Sequence, residues 1–403
     1  MTVSRGIVPV TASDRQLALL SLAAFASMTT MRVCDPLLPA LAREFDVTTG
    51  VAAQVISAFA IAYGLLQLVY GPVADRYGKF RVVSVAVLGC AASNLAAGLA
   101  PTLGWLVAFR AATGGTAAAI IPLTMAWIGD SVGYDRRQEV LARLLSATVV
   151  GMIIGQWAGG IFADTLGWRS VFFALALLFT IAGVMMQIET RRTRGSPARA
   201  ARPVQTQSGF VARLREVVAE PWAREVLAIS VVEGAVAYSA FAFVPSYLHQ
   251  RFGLSMAWAG GVLALYGVGG FCYSRIAPHM LSRWGESGLA RRGGVVLGVI
   301  FAVLAGMPHW GWALPACFAG GLGFYMVHNT LQTHATQMAP SVRGTAVSLF
   351  SCALFFGQSV GVVAASWVVD HLSARAVFAA AAVALPVLAW GFAARIGRRA
   401  GAV

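Results

Sequence analysis

Between residues 17 and 394 the chain passes twelve times through a run of about twenty residues that is almost free of charge. The runs fall near 17–40, 50–70, 82–100, 104–128, 140–163, 168–187, 225–248, 256–275, 293–307, 310–334, 345–369 and 374–394. A run of that length crosses the hydrocarbon of a bilayer as a helix, because only a helix satisfies its own backbone there. Charged residues are 11% of the chain and mean hydropathy is +0.72, against about 25% charged in a soluble domain. A net charge of +14 would suggest a nucleic-acid partner in a soluble protein, but here sidedness accounts for it. Twenty-four Lys and Arg fall on the side that holds both termini, and Arg43, Arg169, Arg251 and Arg375 on the other. That asymmetry places both termini in the cytoplasm of a cell, bacterial by composition, with the chain in its inner membrane. Cys34, Cys90, Cys272, Cys317 and Cys352 lie inside apolar runs without metal-ligand spacing and read as small packing residues.

The chain repeats itself. Adding 206 takes Pro39 to Pro245, Arg137 to Arg343, Gly151 to Gly357, Gly155 to Gly361, Asp164 to Asp370, Arg169 to Arg375 and Phe172 to Phe378. Adding 207 takes Arg76-Tyr77-Gly78 to Arg283-Trp284-Gly285. Six crossings per copy is an even number, so the copies share an orientation and are related by an axis along the membrane normal. The expected fold is all-α and integral to the membrane, with twelve transmembrane helices in two pseudo-symmetric six-helix bundles. Residues 1–187 form the first bundle and 223–403 the second. The Arg-rich stretch 188–222 is a cytoplasmic linker, disordered at first, with an amphipathic surface helix near 208–219.

One connector is singular. Gly71-Pro72-Val73-Ala74-Asp75-Arg76-Tyr77-Gly78-Lys79-Phe80-Arg81 joins the second and third runs and is basic, as a cytoplasmic turn should be. It resembles the signature loop of the major facilitator superfamily, G-x-x-A-D-R-x-G-K/R-x-R. The resemblance extends to the twelve-helix drug/proton antiporters on three further motifs. Asp35-Pro36-Leu37-Leu38-Pro39 is similar to their D-x-x-x-P, and Arg110 within Arg110-Ala111-Ala112-Thr113-Gly114-Gly115 to R-x-x-x-G. Gly151-x-x-x-Gly155-Gln156-x-x-Gly159-Gly160 resembles G-x-x-x-G-P-x-x-G-G, with Gln156 in place of the proline. The resemblance implies that Asp75 docks on the start of the eleventh helix while Gly71 and Gly78 permit the close approach. It also implies that Arg76 or Arg81 meets Asp130 in a loop near 129–143, as a cytoplasmic gate. In the second half Ser282 stands opposite Asp75.

Ionised groups inside a bilayer cost roughly 2.5–3.5 kcal/mol each on insertion scales, so each one needs a reason. Arg32 and Asp35 share a face of the first helix. They are either a proton-coupling or gating pair, as the resemblance implies, or a partly wet interfacial ion pair. Arg110 either acts on a nearby carboxylate or an anionic group, or satisfies backbone carbonyls near the outer end. Glu233 lies about 13 Å from Arg224 along its helix at ~1.5 Å per residue, near midplane, with Tyr238 one turn on. It is the preferred proton or cation-substrate site. Tyr325, His328, Asn329 and Gln332 follow i, i+3, i+4, i+7 spacing and form one interior polar stripe, with His328 more a hydrogen-bonding wall residue than a titrating one. Gly151, Gly155, Gly159, Gly160, Gly357 and Gly361 suit close helix packing.

These residues point to a carrier that is not an enzyme and needs no cofactor or metal. Its partners are a small-molecule substrate, protons and the lipid bilayer, not nucleic acid, and it acts as a monomer. Proton-coupled efflux of an amphipathic compound or drug is the leading expectation. A proton symporter importing a metabolite, or a membrane sensor that moves nothing, are the alternatives.

Overall fold

The computed structural model of the chain describes residues 13–193 and 209–400. Residues 194–208, which hold part of the expected linker and its disordered portion, lie outside the described residues. All described secondary structure is helical. The first half holds α1 (Asp14–Glu44), α2 (Thr49–Tyr77), α3 (Lys79–Gly98), α4 (Leu103–Ser131), α5 (Tyr134–Thr165) and α6 (Trp168–Thr193). A short helix, Phe210–Ala219, lies where the amphipathic surface helix is expected. The second half opens with α7 (Pro221–Phe252). Met256–Gly306 is continuous helix interrupted at Gly285, where φ is 64°, and its arms 256–284 and 286–306 are α8 and α9. Then come α10 (Ala313–Gln337), α11 (Pro340–His371) and α12 (Ala374–Ala400). Among the described residues ten helical stretches are long and apolar enough to cross a bilayer, and the longest holds two crossings. α10 falls short of that apolarity because its second half carries His328, Asn329, Gln332, Thr333 and His334.

Local chemistry explains the helix ends. Ser13 opens α1 with a capping box: its hydroxyl accepts from the Gln16 N–H at 3.2 Å and the Gln16 side chain accepts from the Ser13 N–H at 3.3 Å. α1 loses its regular winding at the 3₁₀ turn Asp35–Leu37, where Pro36 and Pro39 withhold donors.

Two expectations are corrected here. The signature connector is not an eleven-residue loop, because helix runs through Tyr77 and resumes at Lys79. Only Gly78 turns, at φ 88°, a left-handed angle that glycine adopts freely. Gly285, its repeat counterpart, turns at φ 64°. The loop expected near 129–143 shrinks to 132–133, because α4 runs to Ser131 and α5 starts at Tyr134.

The repeat also dictates packing. On α5, Gly151, Gly155 and Gly159 lie against the carbonyls of Phe25, Thr29 and Val33 of α1. On α11, Gly357 and Gly361 lie against the carbonyls of Val231 and Ala235 of α7. Shifting α1–α5 by 206 residues reproduces the first two of these contacts on α7–α11, carbonyl for carbonyl. A side chain at any of these glycines would strike backbone, so small residues set the helix separation where lipid provides no hydrophobic drive.

Candidate functional site

The two halves meet along α2–α11 and α5–α8. On the first seam Ser359 Oγ donates to the Ser57 carbonyl at 3.0 Å and Tyr63 lies 4.6 Å from the Phe355 ring, and beside it Gln250 Nε2 of α7 donates to Thr49 Oγ1 at 2.9 Å. On the second, Gly160 abuts the Met256 carbonyl, Gly260 the Gln156 carbonyl and Gly267 the Ile153 side chain. These contacts occupy the face away from the basic connector and reach about as far as Gly64 on α2 and Gly267 on α8. Beyond them, Leu65, Leu66, Val69, Gly71 and Pro72 are exposed, and a methyl group added to Gly71 or Gly344 would meet nothing within 4 Å. The seam is shut on one face and parted on the basic face.

The gate residues are in keeping with that opening. Asp75, Arg76, Gly78 and Arg81 are exposed, and Asp75 has no hydrogen-bond partner among the described residues. Asp130 pairs with Lys79, not with Arg76 or Arg81. The reason is geometric: Lys79 begins α3 straight after the Gly78 turn, whereas the Arg76 guanidinium sits 5.3 Å over the neighbouring Tyr77 ring.

Two polar clusters lie deep in the molecule, one per half. In the first, Asp35 and Arg32 are both buried, and the nearest approach is 3.9 Å between Arg32 Nη1 and Asp35 Oδ2. Neither side chain lies at the surface. The break in α1 at Asp35–Leu37 turns the carboxylate toward Arg110 and Gln156. Arg110 is 0% exposed, its guanidinium 4.4 Å over the Phe59 ring, and it does not end at backbone carbonyls. Its Nη1 donates to Thr30 Oγ1 at 3.4 Å, and Thr30 donates onward to Asn94 Oδ1 at 3.1 Å. The Arg110 Nε and Nη2 groups have no hydrogen-bond partner among the described residues.

In the second cluster Glu233, 1% exposed, meets His328 at 3.0 Å from Oε2 to Nδ1, and its Oε1 is unpartnered among the described residues. His328 hydrogen-bonds to that carboxylate, and its ring stacks on Phe324 at 5.1 Å. The backbone makes this possible. Directly after Glu233, α7 winds as a π-helix over Gly234–Tyr238. In regular α-helix, residues five apart point about 140° away from each other. The wider turn brings Glu233 and Tyr238 toward one side, a feature common at functional sites. Tyr238 then packs on Phe324 at 5.2 Å and carries the Arg32 guanidinium 4.5 Å over its ring. That contact joins the two clusters across the seam.

The expected stripe on α10 divides. Tyr325 and His328 join the aromatic group, while Asn329 is half-buried and Gln332 exposed, so neither belongs to the cluster. Thr30, Asn94 and Tyr266 are members that the sequence reading did not name. Gln156 was visible there only as a missing proline.

Comparison with known proteins follows the same line. The family model described as Major Facilitator Superfamily matches residues 20–353. The uncharacterised MFS-type transporter YceJ of Bacillus subtilis is 25% identical over 337 residues, covering 81% of this chain and 82% of its own. A chloramphenicol resistance protein of Streptomyces lividans is 25% identical over 359 residues, covering 88% and 89%. Among solved structures, a mutant form of the nucleoside transporter NupG superposes with a TM-score of 0.79 at 15% identity, over 94% of this chain and 99% of that one. A bacterial homologue of the human lysosomal transporter Spinster, inward-facing and unoccupied, gives 0.71 at 16% identity, over 95% and 96%. Identities this low show the fold alone.

Proposed function

The chain belongs to the Major Facilitator Superfamily, a family of small-molecule transporters and not of enzymes, and on that premise we propose that it expels an amphipathic compound in exchange for protons. The basic face is cytoplasmic, and the parted seam makes this an inward-facing state. Glu233 with His328, and Asp35 with Arg32 and Arg110, are the proton-exchanging groups. One observation carries the reading: each half holds a carboxylate only 1% exposed, Asp35 or Glu233, beside a basic side chain, and Arg32 on Tyr238 links the two sets across the surfaces that must slide. An isolated charge at that depth is costly, so a change in a carboxylate's basic partner or in its access to water is what would tie proton exchange to the rocking motion. Entry of protons from outside would therefore bias which face is open, and substrate leaving the other way would complete the exchange. Relatives named for resistance to chloramphenicol, lincomycin and puromycin, which match part or most of the chain, support export over uptake.

Everted membrane vesicles test this with chloramphenicol as first probe. An acid-inside gradient should load chloramphenicol into the vesicles, adding it should dissipate the gradient, and Glu233→Gln should abolish both. Substrate moving in company with the proton would mean symport, and no gradient-dependent movement across a panel of amphipathic drugs would end the carrier reading.

A further inference from the structure

Asp164 and Asp370 occupy the same place in the two repeats, near the ends of α5 and α11 on the face where the seam is shut. Each reaches across to the first turn of a helix in the other half. Asp164 Oδ1 accepts from the Met256 N–H at 3.1 Å, and Oδ2 accepts from the Ala257 N–H at 2.7 Å. Asp370 Oδ1 accepts from the Gly50 N–H at 2.9 Å, and Oδ2 accepts from Thr48 Oγ1 at 2.6 Å. Local caps take the next donors: Ser255 Oγ accepts from the Trp258 N–H and Thr48 Oγ1 from the Val51 N–H. Both helix starts are therefore satisfied only with a carboxylate borrowed from the opposite half. Each carboxylate also meets the partial positive charge of a helix N-terminus. The fit requires glycine at each latch: a Cβ at Gly50, on the receiving side, would run into the Asp370 carboxylate, and Gly160, on the same helix as Asp164, abuts the Met256 backbone.

We propose that Asp164 and Asp370 are a twofold latch that holds the outer face of the transporter closed and makes the inward-facing state the resting state. The argument is one of number as well as contact. At the signature position on the basic face only the first repeat has a carboxylate, Asp75, because Ser282 stands at the matching place, and Asp75 is exposed and disengaged here. On the outer face both repeats supply one, and both are engaged. Two caps oppose one, so the unloaded protein rests with its site open to the cytoplasm. The inference rests on the alternating-access reading for the motion it restrains, but not on any choice of substrate or coupling ion.

Spin labels at Leu166→Cys and Leu372→Cys, exposed positions just beyond the two latches in different halves, report the outer separation by pulsed electron spin resonance. The host is the full chain in nanodiscs with its five native cysteines replaced. No substrate is needed, so the outcome is independent of whether efflux is the activity. We expect one short distance in the parent. Asp164→Ala and Asp370→Ala should each raise the long-distance population about tenfold, as loss of a capping side chain does, and the double variant more. Gly50→Ala, which disturbs the second latch from its receiving side, should shift the distribution the same way, and Asp75→Asn should not. An unchanged distribution in the folded double variant and in Gly50→Ala would overturn the latch.

Discussion

Glu233 and His328 are 95 residues apart in sequence and 3.0 Å apart in space, carboxylate oxygen to ring nitrogen. The pair is buried, and aromatic rings shield it from the rest of the seam. Glu233→Gln keeps the shape and removes the exchangeable proton. Gradient-driven movement of substrate should fall by about 100-fold or more, the scale on which loss of a proton-transfer group acts. Substrate exchange without a gradient should survive, and counterflow in proteoliposomes measures the two separately.

His328→Phe preserves the stack on Phe324 but strips Glu233 of its partner. Leaving a buried polar group unsatisfied costs about 1–3 kcal/mol, so the melting temperature in detergent should drop. Glu233→Gln combined with His328→Phe should recover part of that loss, and the double-mutant cycle reads the coupling directly.

Arg110 holds a flat guanidinium over Phe59 while donating to Thr30. Lysine keeps the charge but has neither the plane nor the fork of donors. Arg110→Lys should therefore fail to restore drug resistance to cells that lose it with Arg110→Ala, at equal membrane expression on an immunoblot.

Gly155 and Gly361 mark twin contacts in the two halves, each facing a carbonyl of the neighbouring helix. Gly155→Ala would place its methyl 2.5 Å from the Thr29 carbonyl. Either alanine should cost about 1–3 kcal/mol, as overpacking does, and both should act alike. Gly104→Ala, whose nearest neighbour would be 3.9 Å away, should be neutral or stabilising by up to about 1 kcal/mol. Thermal unfolding of the three variants side by side checks the contrast.

The architecture was legible because the bilayer admits few solutions. Uncharged runs had to be helices, and an even-numbered repeat had to place like on like. Gly78 and Gly285 could be paired from the repeat before any backbone angle was known. Contacts between distant residues were not legible. Nothing about Glu233 or His328 alone announces the other. Gln156 reads in sequence as a departure from a proline-containing motif, whereas in the fold its amide stands beside Asp35. Asp164 and Asp370 registered as a coincidence of spacing, because a carboxylate's partner on another helix's backbone leaves no mark in that partner's side chains. Asp130 was assigned an arginine when Lys79 lay nearer, since the connector is two helices meeting at one glycine and not a loop free to reach.

The wide turn in α7 stores one residue more than regular winding would place between Glu233 and Tyr238. If that residue were passed along the helix, the segment beyond it would swivel by about 100° relative to the segment before. The carboxylate could then stay with His328, or the phenol stay under Arg32, but the two bonds could not survive together. A swivel of one helix would thus unfasten the proton-holding group of one half from the cation of the other, without either bundle having to unfold.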